Sequence, residues 1–103
     1  MTSRLNYESR YTDDMLPPVT WTEAAEDHIA RHAVQPHEVE DVLYGRPRFI
    51  SLGRDDTRLV FGTTSAGRLL FVVIAEAIDG GLSIVTARDM TASEKRLFRK
   101  KGT

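Results

Sequence analysis

The chain has 103 residues, is 41% apolar and 28% charged, and carries a formal net charge of −1. That is enough chain for one globular domain and too little for two. It contains no cysteine, which excludes a disulfide framework and thiol catalysis and fits a reducing compartment.

The opening MTSRLNYESRYTDD holds no apolar run of the signal-peptide kind. The longest apolar stretch, LLFVVIA, is far short of the roughly 20 residues a membrane span needs. A cytoplasmic protein without membrane association is therefore expected. Charge is unevenly spread, at −5 over residues 1–47 and +4 over residues 48–103. A basic half can face a polyanion and an acidic half another partner, although two ordinary solvated surfaces give the same balance.

Residues 1–18 are polar, lack periodicity and end in Pro17-Pro18, which predicts a flexible arm ahead of a single domain over 19–103. Val19–Trp21 suits the start of a short strand. TEAAEDHIARH then predicts a helix. Thr22 can cap it, and Glu23 and Glu26 complement its positive N-terminal end. AVQPHEVEDVLYG predicts a second helix, with Pro36 in its first turn, an apolar stripe of Val39, Val42 and Leu43, and Gly45 at its end.

The period then changes. Phe49–Leu52 reads as a short strand, Asp55-Asp56 as a turn, and RLVFGTT as the next strand. After the turn SAG, RLLFVVIAEA is apolar on both faces, as a central strand is. Asp79-Gly80-Gly81 turns the chain into LSIVTAR. Strands joined by such short turns run antiparallel. TASE has the form of a capping box from Thr91 to Glu94 and opens a last helix. That helix is expected to place Leu97 inward and Lys95, Arg96, Arg99, Lys100 and Lys101 mostly outward. The expected class is α+β, with an antiparallel sheet of three or four strands covered by two N-terminal helices and one C-terminal helix.

Three histidines, His28, His32 and His37, fall close together, and His28 and His32 share a helix face. That spacing can hold a metal, but no carboxylate completes a set, so no metal is assigned. A histidine near the sheet can instead serve as a general acid or base, since imidazole titrates near neutrality. His32, at the end of the first helix, is the best placed. It also suits an ordinary cation at a helix C-terminus.

Arg68 opens the central strand and Arg88 closes the last one, so antiparallel order puts them at one end of the sheet. Arg58 opens its strand at the opposite end. Two neighbouring guanidinium groups repel unless an anion lies between them, and phosphate fits such forks. Pairing with carboxylates such as Glu76 or Asp89 satisfies them equally well. Metal-free ribonucleases use cations of this kind, together with a base for the ribose 2′-hydroxyl and an acid for the leaving oxygen. Lys95, Arg99 and Lys100 on the last helix would attract an RNA backbone. Trp21 can stack on a base, although a lone Trp beside a helix start more often packs in the core.

WTEAAEDHIARHAVQPHEVEDV, GRLLFVV and IVTARDMTASEKRLF occur in this order and together resemble the BrnT-type toxins and their relatives. The likeness runs from Val19 to about Lys100. It implies a RelE-like fold and a metal-independent endoribonuclease toxin of a type II toxin–antitoxin pair, without a cofactor. RNA and a cognate antitoxin are the implied partners, and self-association into a homo-oligomer is left open.

By position, Arg88 matches the family's closing arginine, Arg68 the one opening the central strand, His32 its helix-ending histidine and Trp21 its opening tryptophan. Arg58 is a weaker match. Ala33 stands where the family has glycine, Ala25 where Lys or Asn is usual, Asp89 where Lys is frequent and Phe98 where Tyr is common. These departures remove cations and a phenol. They carry the alternative reading, a non-catalytic toxin-like domain that binds RNA or a partner protein.

Overall fold

The computed structural model describes residues 16–103. Among these the elements run α1 (Glu23–Ala30), α2 (Pro36–Tyr44), β1 (Arg48–Leu52), β2 (Arg58–Thr63), β3 (Leu69–Glu76), β4 (Leu82–Asp89) and α3 (Ala92–Lys101). The four strands form one antiparallel sheet in the order β1-β2-β3-β4, so the expected α+β class is the observed one. No helix among the described residues is long and apolar enough to cross a membrane.

Each helix starts where a side chain can hold free backbone N–H groups. Thr22 caps α1 by accepting from the Ala25 amide at 3.1 Å. Gln35 and Glu38 form a capping box at α2, and Pro36 fits its first turn, where no intrahelical N–H is needed. The end of α1 is equally well defined. Ala33 N donates to Ala30 O at 2.9 Å and Val34 N to Ile29 O at 3.1 Å, with Ala33 left-handed at φ 58°. This is a Schellman closure, and Ile29 and Val34, the two apolar residues it brings together, are both buried.

The sheet has an apolar cluster on each face, because successive side chains in a strand point to opposite sides. On one side Val60, Leu70, Val72, Ile74, Leu82, Ile84 and Ala87 pack with Ile29, Val34, Val39, Val42 and Leu43 of the α1–α2 layer. At such sites a fully buried Leu, Ile or Val contributes roughly 1.5–3 kcal/mol. Gly62 lets α2 approach closely, since a Cβ there would lie 2.9 Å from Val42 Cγ1. On the other side Phe61, Phe71, Met90 and Phe98 form a second cluster, with Phe49, Leu59, Leu69 and Val73 at its margin.

Helix α3 crosses this second face at one end of the sheet. Its first turn reaches Arg88 on β4, and beyond its C-terminus Thr103 N donates to Arg48 O on β1 at 3.1 Å. Its phase corrects one expectation. Phe98 is the inward residue at 7% exposure, whereas Leu97 is 36% exposed.

Most of the expected arm, residues 1–15, lies outside the described residues. Its last three residues, expected to be flexible, are packed. Leu16 is buried in the main core, Pro17 O accepts from Tyr44 Oη at 2.7 Å, and Pro18 O accepts from Leu82 N at 2.9 Å. Val19 makes a single parallel bridge to Leu82 rather than opening a longer strand.

Candidate functional site

Strand register decides which of the expected site residues meet. Leu70 lies opposite Asp89 and Phe71 opposite Arg88, so Arg68 and Arg88 do belong to the same end of the sheet. They nevertheless serve opposite faces. Arg68 reaches into the α1–α2 layer, and Arg88 lies over Phe71 in the second cluster. Their guanidinium groups go to different partners, so the expected convergence is not observed.

Arg68 is a hub of five hydrogen bonds. Its Nε donates to Asp89 Oδ1 at 2.8 Å and Nη2 to Asp89 Oδ2 at 3.3 Å. Nη1 donates to Glu38 Oε1 at 3.0 Å and to Ala33 O at 2.7 Å, and Nη2 also reaches His32 O at 3.3 Å. A guanidinium has five N–H donors, and this one uses them all. The group therefore ties β3, β4, the end of α1 and the start of α2 together. The bond to Asp89 is the largest cause of its raised pKa, and that same bond holds the Asp89 carboxyl below the usual range.

Arg88 is built differently. Its guanidinium carbon sits 4.3 Å from the centroid of the Phe71 ring, a cation–π stack. Nη1 and Nη2 fork onto Glu94 at 2.8 and 3.0 Å, and Nη1 also donates to Asp89 O at 3.0 Å. Glu94 is at the same time the returning half of the α3 capping box. Its Oε1 accepts from Thr91 N at 2.9 Å, and Thr91 Oγ1 accepts from Glu94 N at 3.2 Å. The Arg88 bond is the main reason the Glu94 carboxyl is held below its ordinary range. The Arg88 side chain remains 34% exposed and that of Glu94 20%, so the pair borders solvent.

The remaining expected residues are dispersed. Arg58 pairs in register with Leu52 and Ile74 at the far end of the sheet, with Nη1 3.5 Å from Thr57 O. His32 is exposed beyond α1, and it is His28 that reaches the sheet, with Nε2 3.1 Å from Thr86 Oγ1 on β4. The two imidazoles meet edge-on at 5.8 Å. Trp21 is partly buried against the main core, and its Nε1 donates to Glu40 at 2.8 Å. On α3, Arg96, Arg99, Lys100 and Lys101 are exposed. Lys95 is half-buried and close enough to Asp89 to help lower that carboxyl's pKa.

Three groups at this end of the sheet have roles that sequence reasoning missed: Phe71 as the stacking ring, Glu38 as a partner of Arg68, and Glu94 as the partner of Arg88. A signal for Glu94 existed. The capping box places its carboxylate at the first turn of α3, beside the strand end that carries Arg88. Comparison with known proteins adds no relative, since no protein-family model, no curated protein and no solved structure matches the chain.

Proposed function

We propose that this chain is a toxin-like domain that binds RNA without cutting it. The observation that carries the reading is the run of exposed cations on α3, Arg96, Arg99, Lys100 and Lys101, on the helix whose first turn meets the stacked guanidinium of Arg88. Such a stripe attracts a phosphate backbone independently of sequence. Cleavage needs a base, an acid and a cation around one phosphate. Here Arg68 is saturated by five bonds on the other face, Arg58 is at the far end, and His32 lies beyond α1. A cognate antitoxin with an acidic surface would compete with RNA for α3.

The test is fluorescence anisotropy of a labelled single-stranded oligoribonucleotide, run beside a degradation assay in excess chelator. The reading expects binding that weakens with salt, with intact RNA at high protein concentration. It expects weaker binding when Arg96, Arg99 and Lys100 are changed to Gln. Absence of binding at low salt would remove it.

A second reading, the metal-independent endoribonuclease toxin, is favoured by one observation. Arg88 and Glu94 set a cation and a carboxylate 2.8 Å apart at a solvent border. A phosphate-stabilising group and a proton acceptor are needed in such proximity. The depressed Glu94 pKa makes it a weak base at rest, which is why this reading comes second. Chelator-resistant RNA cleavage that Arg88→Ala abolishes would promote it to first.

A further inference from the structure

We propose that Glu94 is a resident anion at an exchangeable phosphate site on Arg88, so that an RNA phosphate binds there by displacing the carboxylate. The inference rests on the RNA-binding reading and deepens it by naming what controls one contact.

Three features make the exchange feasible. First, Arg88 does not depend on Glu94 for its position. Its guanidinium is stacked 4.3 Å from the Phe71 centroid and donates to Asp89 O at 3.0 Å, and neither contact involves the carboxylate. Second, Glu94 has a place to stay after release. Its Oε1 already accepts the Thr91 amide at 2.9 Å, and that bond needs nothing from Arg88. Third, the fork of two parallel N–H bonds that now holds Glu94 at 2.8 and 3.0 Å is the geometry by which arginine holds phosphate. Arg88 is 34% exposed, so an incoming anion can approach from solvent.

Arg68 supplies the contrast within the same molecule. It is also forked by a carboxylate, but it has two further acceptors in the backbone of the α1–α2 turn and a second carboxylate in Glu38. A phosphate would have to break that whole set. The two arginines therefore divide into a structural clamp and an exchangeable cation.

The experiment is a titration of the full chain with inorganic phosphate, followed through the Arg88 Nε–H resonance, paired with RNA anisotropy. Glu94→Gln removes the competing charge and keeps a side chain that suits the capping box. Both phosphate and RNA should bind about two- to five-fold tighter, the range set by the strength of a partly exposed ion pair. Glu94→Asp retains the charge but draws it back by one methylene, and it should shift both affinities in the same direction. It also guards against a helix-start defect in the first variant. Adding Arg88→Ala to Glu94→Gln should erase both gains.

Unchanged or weaker phosphate binding in both Glu94 variants, each still unfolding cooperatively well above the assay temperature, would overturn the exchange even if RNA still binds through α3. A phosphate gain at Arg88 without RNA binding by any variant would leave the exchange standing and sink the RNA-binding reading instead.

Discussion

Arg68 and Asp89 are joined by a two-point fork, Nε to Oδ1 at 2.8 Å and Nη2 to Oδ2 at 3.3 Å, across the end of the β3–β4 pair. With Glu38, His32 O and Ala33 O completing its donors, Arg68 acts as a clamp on the fold. Arg68→Ala should therefore destabilise the domain by roughly 2–3 kcal/mol, since it leaves two carboxylates and two helix-end carbonyls without their charged donor. Arg68→Lys should recover little, because an ammonium cannot reproduce the fork. Urea denaturation would read both. The RNA affinity of the variants under folding conditions should stay within about two-fold of wild type, because the proposed phosphate contacts are on α3 and at Arg88.

This pairing also shows where sequence reasoning stops. The strand and helix boundaries were legible because turn residues, caps and a change of period all agree along the chain. The sharing of one sheet end by Arg68 and Arg88 followed from antiparallel order alone. Their separation onto two faces did not, because it depends on the side-chain phase at the start of β3. Asp89 is the carboxylate nearest Arg88 along the chain, but adjacent side chains in a strand point apart. Asp89 accordingly turns to Arg68, while Arg88 finds Glu94 six residues on. Phe98 takes the inward place expected for Leu97 for a related reason. Helix phase on α3 is set by which residue follows Glu94 by four, and that residue is Phe98. The partners of His28 and Trp21 lie 58 and 19 residues away, beyond the reach of local periodicity.

Stability should fall in acid, and the direction follows from two carboxyls. Asp89 is held below its usual range chiefly by the bond from Arg68, and Glu94 chiefly by the bond from Arg88. A carboxyl whose folded pKa is depressed adds stability above its unfolded value and loses it as pH falls through the folded value. With unfolded values near about 4, stability should be level above about pH 5 and decline steadily below about pH 4. Asp89→Asn and Glu94→Gln should each be less stable than wild type at neutral pH and show a shallower decline. Urea midpoints measured at several pH values would reveal it. Parallel curves for wild type and variants would contradict the assignment.

Ala33 is the residue at which a backbone change should stabilise the fold. It occupies φ 58°, the left-handed position that closes α1, where an L side chain is disfavoured and glycine is not. Ala33→Gly relieves that strain but gives the unfolded chain more freedom, so the two effects partly cancel. The net gain should be about 0.5–1 kcal/mol, read as a higher urea midpoint with an unchanged slope. Ala33→Val should go the other way, because a β-branched side chain tolerates this conformation least. The amide of Ala33 keeps its bond to Ala30 O in either variant, so the sign rests on conformation and not on a lost hydrogen bond.

The salt dependence of RNA binding should count the cations in use. Helix α3 has 10 residues and spans about 15 Å, room for two or three successive phosphates of an extended strand. With Arg88 added, three or four phosphates would be neutralised. For a single strand each contributes about −0.7 to the slope of log K against log salt, so the slope should be roughly −2 to −3. Arg99→Gln combined with Lys100→Gln should make it shallower by about 1.4 while leaving the thermal transition nearly unchanged, since both side chains are exposed. Arg58→Gln, at the far end of the sheet, should leave the slope as it is. A slope that responds to Arg58 and ignores Arg99 and Lys100 would move the RNA contact away from α3.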